Sequence, residues 1–197
     1  MDAVFLLVNQ GGEPVSIRGL RIDVDGLVGN GFHVGGMCTV TKEPEKTLYS
    51  DFVLGGSDLA HATQITFRDC SVTKALGDGF RLVPTAYCIR FRDCYAVQNG
   101  GSGISAVATG TGAQVNSITI DGCTAKNYGY GFVQLASATD RTTVKNVTVS
   151  GVNYGVKIDY SNAVVLENVD ITAGVAAVLN SNYGTKTITI KDSKLSI

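Results

Sequence analysis

The chain has 197 residues, of which 44% are hydrophobic and 17% are charged, and its formal net charge is −1. This composition is typical of a compact globular protein and excludes a disordered chain. There is no basic run, and the apolar stretch 3–8 is too short for a signal peptide core or a membrane span. We therefore expect neither nucleic acid nor a membrane as a partner.

An eight-residue pattern recurs eight times along the chain. Its order is apolar, any, apolar, polar, then Asp, Asn or Gly, followed by apolar, any, apolar. The units begin at residues 15, 47, 65, 89, 118, 142, 164 and 188. Because side chains alternate between the two faces of a strand, each triplet predicts a short strand with one buried face. Regular repetition of such a unit predicts a solenoid.

The two residues between the triplets predict a bend rather than a hairpin. The second of them is always Gly, Asn or Asp, the residues that adopt a left-handed backbone at least cost. We therefore expect positive φ at every one of these positions, which are Gly19, Asp51, Asp69, Asp93, Gly122, Asn146, Asn168 and Asp192. The residue before each of them is polar and is expected to point to water.

A third strand follows most units and usually begins with glycine, as at Gly79 and Gly155. Three short strands in a repeat of about 24 residues predict an all-β, right-handed, single-stranded parallel β-helix with about eight coils. Residues 1–197 are predicted to form a single β-helix domain. The unit at 47–54 fits the spacing poorly, so residues 35–64 are predicted to be either an irregular insertion or a degenerate coil.

Both ends of the chain favour a segment of a longer protein. Phe5 and Leu7 fit the third strand of an earlier coil, so we expect the chain to begin within a turn of the solenoid. No polar capping element is readable at either end, although solenoids need one to cover their terminal coils.

Three of the five cysteines occupy the same inward position in consecutive units. We predict that Cys70, Cys94 and Cys123 stack as a buried column of small apolar side chains. A disulfide needs a shorter Cβ separation than stacking provides, and a metal would need a further ligand and an opening. We therefore expect no metal site and no cofactor. Cys38 and Cys88 are left unassigned.

The outward face of the glycine-led strands is the predicted functional surface. It is expected to project His33, Arg81, Ser105, Val133 and Lys157, with Asp78 and Asp159 beside them. Candidate catalytic residues are Asp78, Arg81, Asp58 and His61, and candidate substrate-binding residues are His33, Arg81, Ser105 and Lys157. Paired carboxylates could serve as acid and base toward a glycosidic bond, or an arginine could abstract a proton beside an acidic sugar. The alternative is an ordinary solvated β surface.

The segments ITFRDCSV at 65–72 with GDGFRL at 77–82, and ITIDGCTA at 118–125 with GYGF at 129–132, resemble the repeats of the pectate-lyase-like superfamily. That superfamily includes polysaccharide lyases, glycoside hydrolases, epimerases and bacteriophage tailspikes. The resemblance extends over residues 3–195 and implies a β-helix with a polysaccharide or cell-surface glycan as partner. It transfers no catalytic residue, because the motifs of the best-known enzymes are not found here.

Three functions remain open from the sequence. The first is a tailspike or appendage segment that recognises a bacterial surface glycan, with or without depolymerising it, as a homotrimer on a virion tail or another extracellular structure. The second is a free polysaccharide lyase, hydrolase or epimerase. The third is a purely structural solenoid.

Overall fold

The computed structural model describes residues 3–7, 14–23, 30–34, 62–63, 65–82, 86–97, 99–106, 118–126, 131–136, 139–159, 161–181 and 187–197. The regular secondary structure of these residues is entirely β. Among them, no helix has the length and apolar character needed to cross a membrane.

Most strands follow the predicted order of three short segments per repeat, and in the later repeats they run together without a break. The exceptions are the two-residue strands at 62–63 and 86–87, which pair with each other in a separate sheet. They are β1 (Ala3–Leu7), β2 (Val15–Arg18), β3 (Arg21–Asp23), β4 (Asn30–Val34), β5 (Ala62–Thr63), β6 (Ile65–Arg68), β7 (Ser71–Thr73), β8 (Phe80–Leu82), β9 (Ala86–Tyr87), β10 (Arg90–Arg92), β11 (Tyr95–Val97), β12 (Ser102–Ala106), β13 (Ile118–Asp121), β14 (Thr124–Lys126), β15 (Gly131–Leu135), β16 (Thr139–Ile158), β17 (Ser161–Asn180), β18 (Thr187–Lys191) and β19 (Lys194–Ser196).

Corresponding strands of successive repeats pair in parallel. The first strands align in register at Ile17, Phe67, Phe91, Ile120, Val144, Leu166 and Ile190. The second and third strands stack in the same way, which gives three parallel sheets around one apolar interior. The predicted parallel β-helix is therefore confirmed.

The number of coils differs from the predicted eight. Strands β2, β3 and β4 pair directly with β6, β7 and β8, so no other described strand lies between them. Residues 35–61 lie outside the described part of the chain. The choice between an insertion and a degenerate coil for 35–64 therefore stays a prediction.

The bend prediction is confirmed at all seven described positions. The φ angles of Asp69, Asp93, Asn146, Asn168 and Asp192 lie between 46° and 53°, and Gly19 and Gly122 have 68° and 65°. Asp51 lies outside the described residues. The bend side chains also bond between coils, because Asn168 donates from Nδ2 to Oδ1 of Asn146 at 2.9 Å. Asn146 in turn donates to Asp121 at 2.8 Å.

The interior is filled by aliphatic and aromatic side chains from all three sheets. Phe67 and Phe91 stack across neighbouring coils with ring centroids 5.1 Å apart, and Phe80 meets both of them edge-on. Glycine opens the third strand for a steric reason. A Cβ on Gly79 would lie 2.8 Å from the carbonyl oxygen of Gly103 in the next coil. The backbones of neighbouring coils are thus too close at this position to accommodate a side chain.

The cysteine column is confirmed. Cys70, Cys94 and Cys123 are free thiols, each at most 2% exposed. The hydrogen bond that the Cys94 thiol donates to Cys123, together with burial, raises the pKa of Cys94 strongly. Cys88 is a free thiol on the surface, and Cys38 lies outside the described residues.

Candidate functional site

One row of residues follows the outward positions of the third sheet from coil to coil. His33, Arg81, Ser105, Gln134 and Lys157 are aligned by the parallel register. We call this set the third-sheet row. Arg81, Ser105 and Lys157 occupy the predicted positions in it. For His33 the structure establishes only its backbone alignment beside Arg81.

Val133 does not belong to the row. It is fully buried and pairs with Ile104 and Val156 in the interior, so its predicted outward position was wrong. The prediction aligned the glycines that begin the third strands, but Gly131 pairs with Ser102 rather than with Gly103. The register of β15 against β12 therefore differs by one residue from the predicted register. The shift moves every following residue by one position and places Gln134 in the row.

Asp78 forms the first polar centre, beside Arg81 in the row. Its Oδ1 accepts a hydrogen bond from the backbone N–H of Ser102 at 2.7 Å, and its Oδ2 accepts the Ser105 hydroxyl at 2.5 Å. Both donors belong to the next coil. Asp78 is 8% exposed and Ser105 is fully buried. The carboxylate is therefore fixed in place by two donors, and the Ser105 hydroxyl supports Asp78.

Arg81 lies beside this carboxylate on the open side. Its Nη1 is 3.9 Å from Oδ2 of Asp78, which is an ion pair without a close hydrogen bond. The arginine side chain is 38% exposed. Its guanidinium can therefore contact a ligand while the Asp78 charge keeps it near the sheet.

Asp159 forms the second polar centre, at the C-terminal end of the row. Its Oδ1 accepts the Ser181 hydroxyl at 2.5 Å, and its Oδ2 lies 3.4 Å from Nζ of Lys157. Partial burial raises the pKa of Asp159, but the hydrogen bonds from Ser181 and Gln134 and the Lys157 charge outweigh it. The net result is a lowered pKa. This carboxylate is therefore ionised at neutral pH.

Gln134 connects the two centres. Its Nε2 donates to Oδ2 of Asp159 at 3.4 Å, and its Oε1 lies 3.5 Å from Oγ of Ser102. Both contacts are long, so the amide can turn toward a ligand at little cost. The sequence prediction missed Gln134, Ser102 and Ser181. Gln134 was detectable as the polar residue nearest the end of the GFVQL strand, whereas the serines carry no sequence signal.

Asp78 and Asp159 are too far apart to act as a catalytic pair. Their third strands, β8 and the end of β16, are separated by three coil steps. At about 4.8 Å for each step this is about 14 Å along the solenoid axis. The carboxyl pairs of glycosidases lie roughly 5–9.5 Å apart. The row therefore presents two separate polar centres over an extended surface.

Two of the candidate catalytic residues, Asp58 and His61, lie outside the described residues, so their predicted proximity to Asp78 remains a prediction. Across the described ranges, no group of three or more His, Cys, Asp or Glu side chains is arranged to hold a metal ion.

Comparison with known proteins identifies the family. Residues 29–144 match the model of the family described as "Right handed beta helix region". Since this match covers more than half of the chain, the protein belongs to that family. A search of curated proteins gave no match.

One solved structure with a similar fold is the A-module of mannuronan C-5 epimerase AlgE6 from Azotobacter vinelandii. The sequence identity is 16% and the TM-score is 0.43. The similarity covers 93% of this chain and 58% of that one. The chain thus spans little more than half the length of the epimerase module.

Proposed function

We propose that the protein is a glycan-recognising β-helix whose binding surface is the third-sheet row. The observation that carries this proposal is the pair of fixed polar centres, around Asp78 and around Asp159, with Gln134 between them. Carboxyl groups, an amide and two cations are the groups that hydrogen-bond to sugar hydroxyl and carboxylate groups. A span of about 14 Å favours an oligosaccharide over a single sugar.

The arrangement also limits the cost of binding. Asp78 and Asp159 already have their donors in the free protein, so few side chains must be ordered when a ligand arrives. Arg81 remains partly exposed, and Gln134 has only long hydrogen bonds to lose. These two residues are therefore the ones we expect to contact the glycan directly.

The proposal extends to the biological setting implied by the sequence resemblance. We assign the chain to the pectate-lyase-like superfamily, as a tailspike or appendage segment that acts as a homotrimer on a virion tail or in another extracellular location. Sedimentation equilibrium of the purified chain tests the oligomeric state, and a monomer at micromolar concentration would contradict the trimer.

A glycan array tests the binding function. We expect wild-type protein to retain a bacterial surface polysaccharide and the double variant Gln134→Ala/Arg81→Gln to lose at least tenfold in affinity. The matched control is Thr143→Ala/Lys145→Gln on the first sheet, which should bind as wild type does. A blank array, or equal losses in both double variants, would reject the third-sheet row and favour the structural solenoid.

Polysaccharide cleavage by a lyase is the second candidate, and the adjacency of Arg81 to Asp78 favours it. A lyase leaves an unsaturated uronate whose absorbance grows with time. We expect Arg81→Ala or Asp78→Asn to abolish that signal if these residues act in the reaction. Activity that is unchanged in both variants would exclude this part of the surface as a catalytic centre.

A further inference from the structure

A column of arginines lies on a different part of the molecule, at the bend between the first and second strands. Arg18 pairs in register with Arg68, and Arg68 pairs with Arg92. We call these three residues the arginine column. Parallel stacking places neighbouring members about 4.8 Å apart at the backbone. Arg18 and Arg92 are exposed and Arg68 is half-buried.

The same column continues with a different charge pattern. The positions after Arg92 are Asp121, Lys145, Glu167 and Lys191, which alternate in sign. Lys145 forms an ion pair with Asp121 at 3.2 Å. Alternation is the arrangement that stabilises stacked charges, whereas like charges placed directly opposite each other destabilise a sheet. The later coils therefore have the stabilising arrangement at these positions, whereas the arginine column places like charges next to each other.

Two further arginines enlarge the positive surface. Arg90 is exposed and stacks between Thr66 and Thr119, one outward position before Arg92. Arg21 is exposed on the second sheet, in the column that also holds Tyr95.

Carboxylates compensate this surface only in part. Arg68 and Arg92 each contact the Asp that follows them in sequence, at 3.5 Å in both cases. Among the residues that the structure describes, these five arginines face the same two carboxylates and Asp121, while Asp23 near Arg21 is paired with Lys74 at 3.5 Å. The described part of this surface therefore carries more positive than negative charge.

We propose that the arginine column, with Arg90 and Tyr95 beside it, is a second binding surface for an acidic polysaccharide that lies along the solenoid axis. The arginine column spans two coil steps of about 4.8 Å each, so a polysaccharide that runs along the axis can contact all three guanidinium groups. Arginine is the side chain best shaped to bind carboxylates. Tyr95 is 43% exposed and offers a ring face to a sugar.

The surface is independent of the proposed function, because it lies on other sheets than the third-sheet row. Experiments can therefore reject one of the two proposed binding surfaces without rejecting the other. Binding here would retain a long acidic chain while the third-sheet row engages another stretch of glycan, which raises the effective concentration at that site.

The test uses fluorescence anisotropy with labelled oligogalacturonate in about 0.1 M salt. We expect Arg90→Gln/Arg92→Gln to weaken binding at least tenfold. The matched control Lys191→Gln/Lys194→Gln removes the same charge from exposed positions of the last coil, and it should change the affinity less than twofold. Gln134→Ala/Lys157→Ala should retain binding to this surface.

Further arms separate the alternatives. A neutral dextran oligosaccharide should not bind, and oligodeoxythymidylate of equal charge should bind more weakly than the glycan. Absence of oligogalacturonate binding, equal losses in the arginine and lysine pairs, or tighter binding of the nucleic acid would each overturn the proposal.

Thermal melting adds a control for folding. The melting temperature of Arg90→Gln/Arg92→Gln should change little, because the substitution removes the Arg68–Arg92 repulsion together with the exposed Arg92–Asp93 ion pair. A large fall would show that the arginines are structural.

Discussion

Ser105 donates its hydroxyl to Oδ2 of Asp78 across two neighbouring coils, at 2.5 Å. Both groups are shielded from water, with Ser105 fully buried and Asp78 8% exposed. The bond fixes the carboxylate on the outward side of the third sheet. It therefore connects the stacking of the coils to the geometry of the proposed binding surface.

Replacing this serine tests how much the support contributes. Ser105→Ala should lower the free energy of unfolding by about 1–3 kcal/mol, because a buried carboxylate loses one of its donors. Urea denaturation followed by circular dichroism measures this change. The matched control is Ser150→Ala at an exposed strand position, which should stay within about 0.5 kcal/mol of wild type. Equal effects of the two substitutions would contradict the assigned role of Ser105.

The left-handed bend can be tested at Asn168, whose φ is 50°. Asn168→Val should cost about 1–2 kcal/mol through backbone strain alone, because a β-branched residue is disfavoured there. Asn168→Gly keeps the backbone conformation and loses only the side-chain hydrogen bond to Asn146. It should therefore be the milder change. Asp170→Val at an exposed position of the same coil is the control for added apolar surface. If Asn168→Val proved no worse than Asp170→Val, the strain argument would fail.

Asp159 should make stability depend on acid pH. Its pKa is lowered in the folded protein, so its stabilising contribution is present above the ordinary carboxyl pKa of about 3.9. That contribution disappears as the pH falls through the folded pKa. Wild type should therefore exceed Asp159→Asn in stability at neutral pH, and the gap should close toward pH 2.

Urea denaturation at several pH values measures this gap. Ser181→Ala removes one donor to the carboxylate and should reproduce part of the loss. A gap that stays constant from neutral to acid pH would show that the charge of Asp159 does not contribute.

The cysteine column predicts selective chemical protection. The thiolate is the reactive form of cysteine. Burial raises the pKa of the Cys70 thiol. The pKa of the Cys94 thiol is raised mainly by its hydrogen bond with Cys123. Iodoacetamide at pH 8 should therefore modify the exposed Cys88 in the native protein, and modify Cys70, Cys94 and Cys123 only after unfolding. Peptide mass spectrometry distinguishes the sites. Rapid native labelling of any residue of the column would contradict the packing.

The sequence predicted the fold well because the repeat acts through local rules. A residue such as Asp69 or Asn168 is required by backbone geometry at its own position, and the alternation around it assigns inside and outside. The order of the coils near residue 49 was harder to predict. Ile17 pairs with Phe67, which lies 50 residues further along the chain, and the local pattern does not indicate such a long-range pairing.

The candidate site was predicted only in part. Arg81 and Lys157 follow from strand alternation, but the exchange of Val133 for Gln134 depends on a one-residue shift against the neighbouring coil. The hydrogen bonds of Asp159 to Ser181 and Gln134 join residues more than 20 positions apart. Such contacts become visible only when the coils are stacked in register.

A crystal structure of the protein with the oligosaccharide that binds best on the array is the most direct test of the central claim. We predict that the sugar chain lies across the third sheet, with hydrogen bonds to Gln134 and Arg81 and with Asp78 and Asp159 in their present positions. A ligand that occupies only the arginine column, or another face of the solenoid, would contradict the claim that the third-sheet row is the glycan-recognising surface.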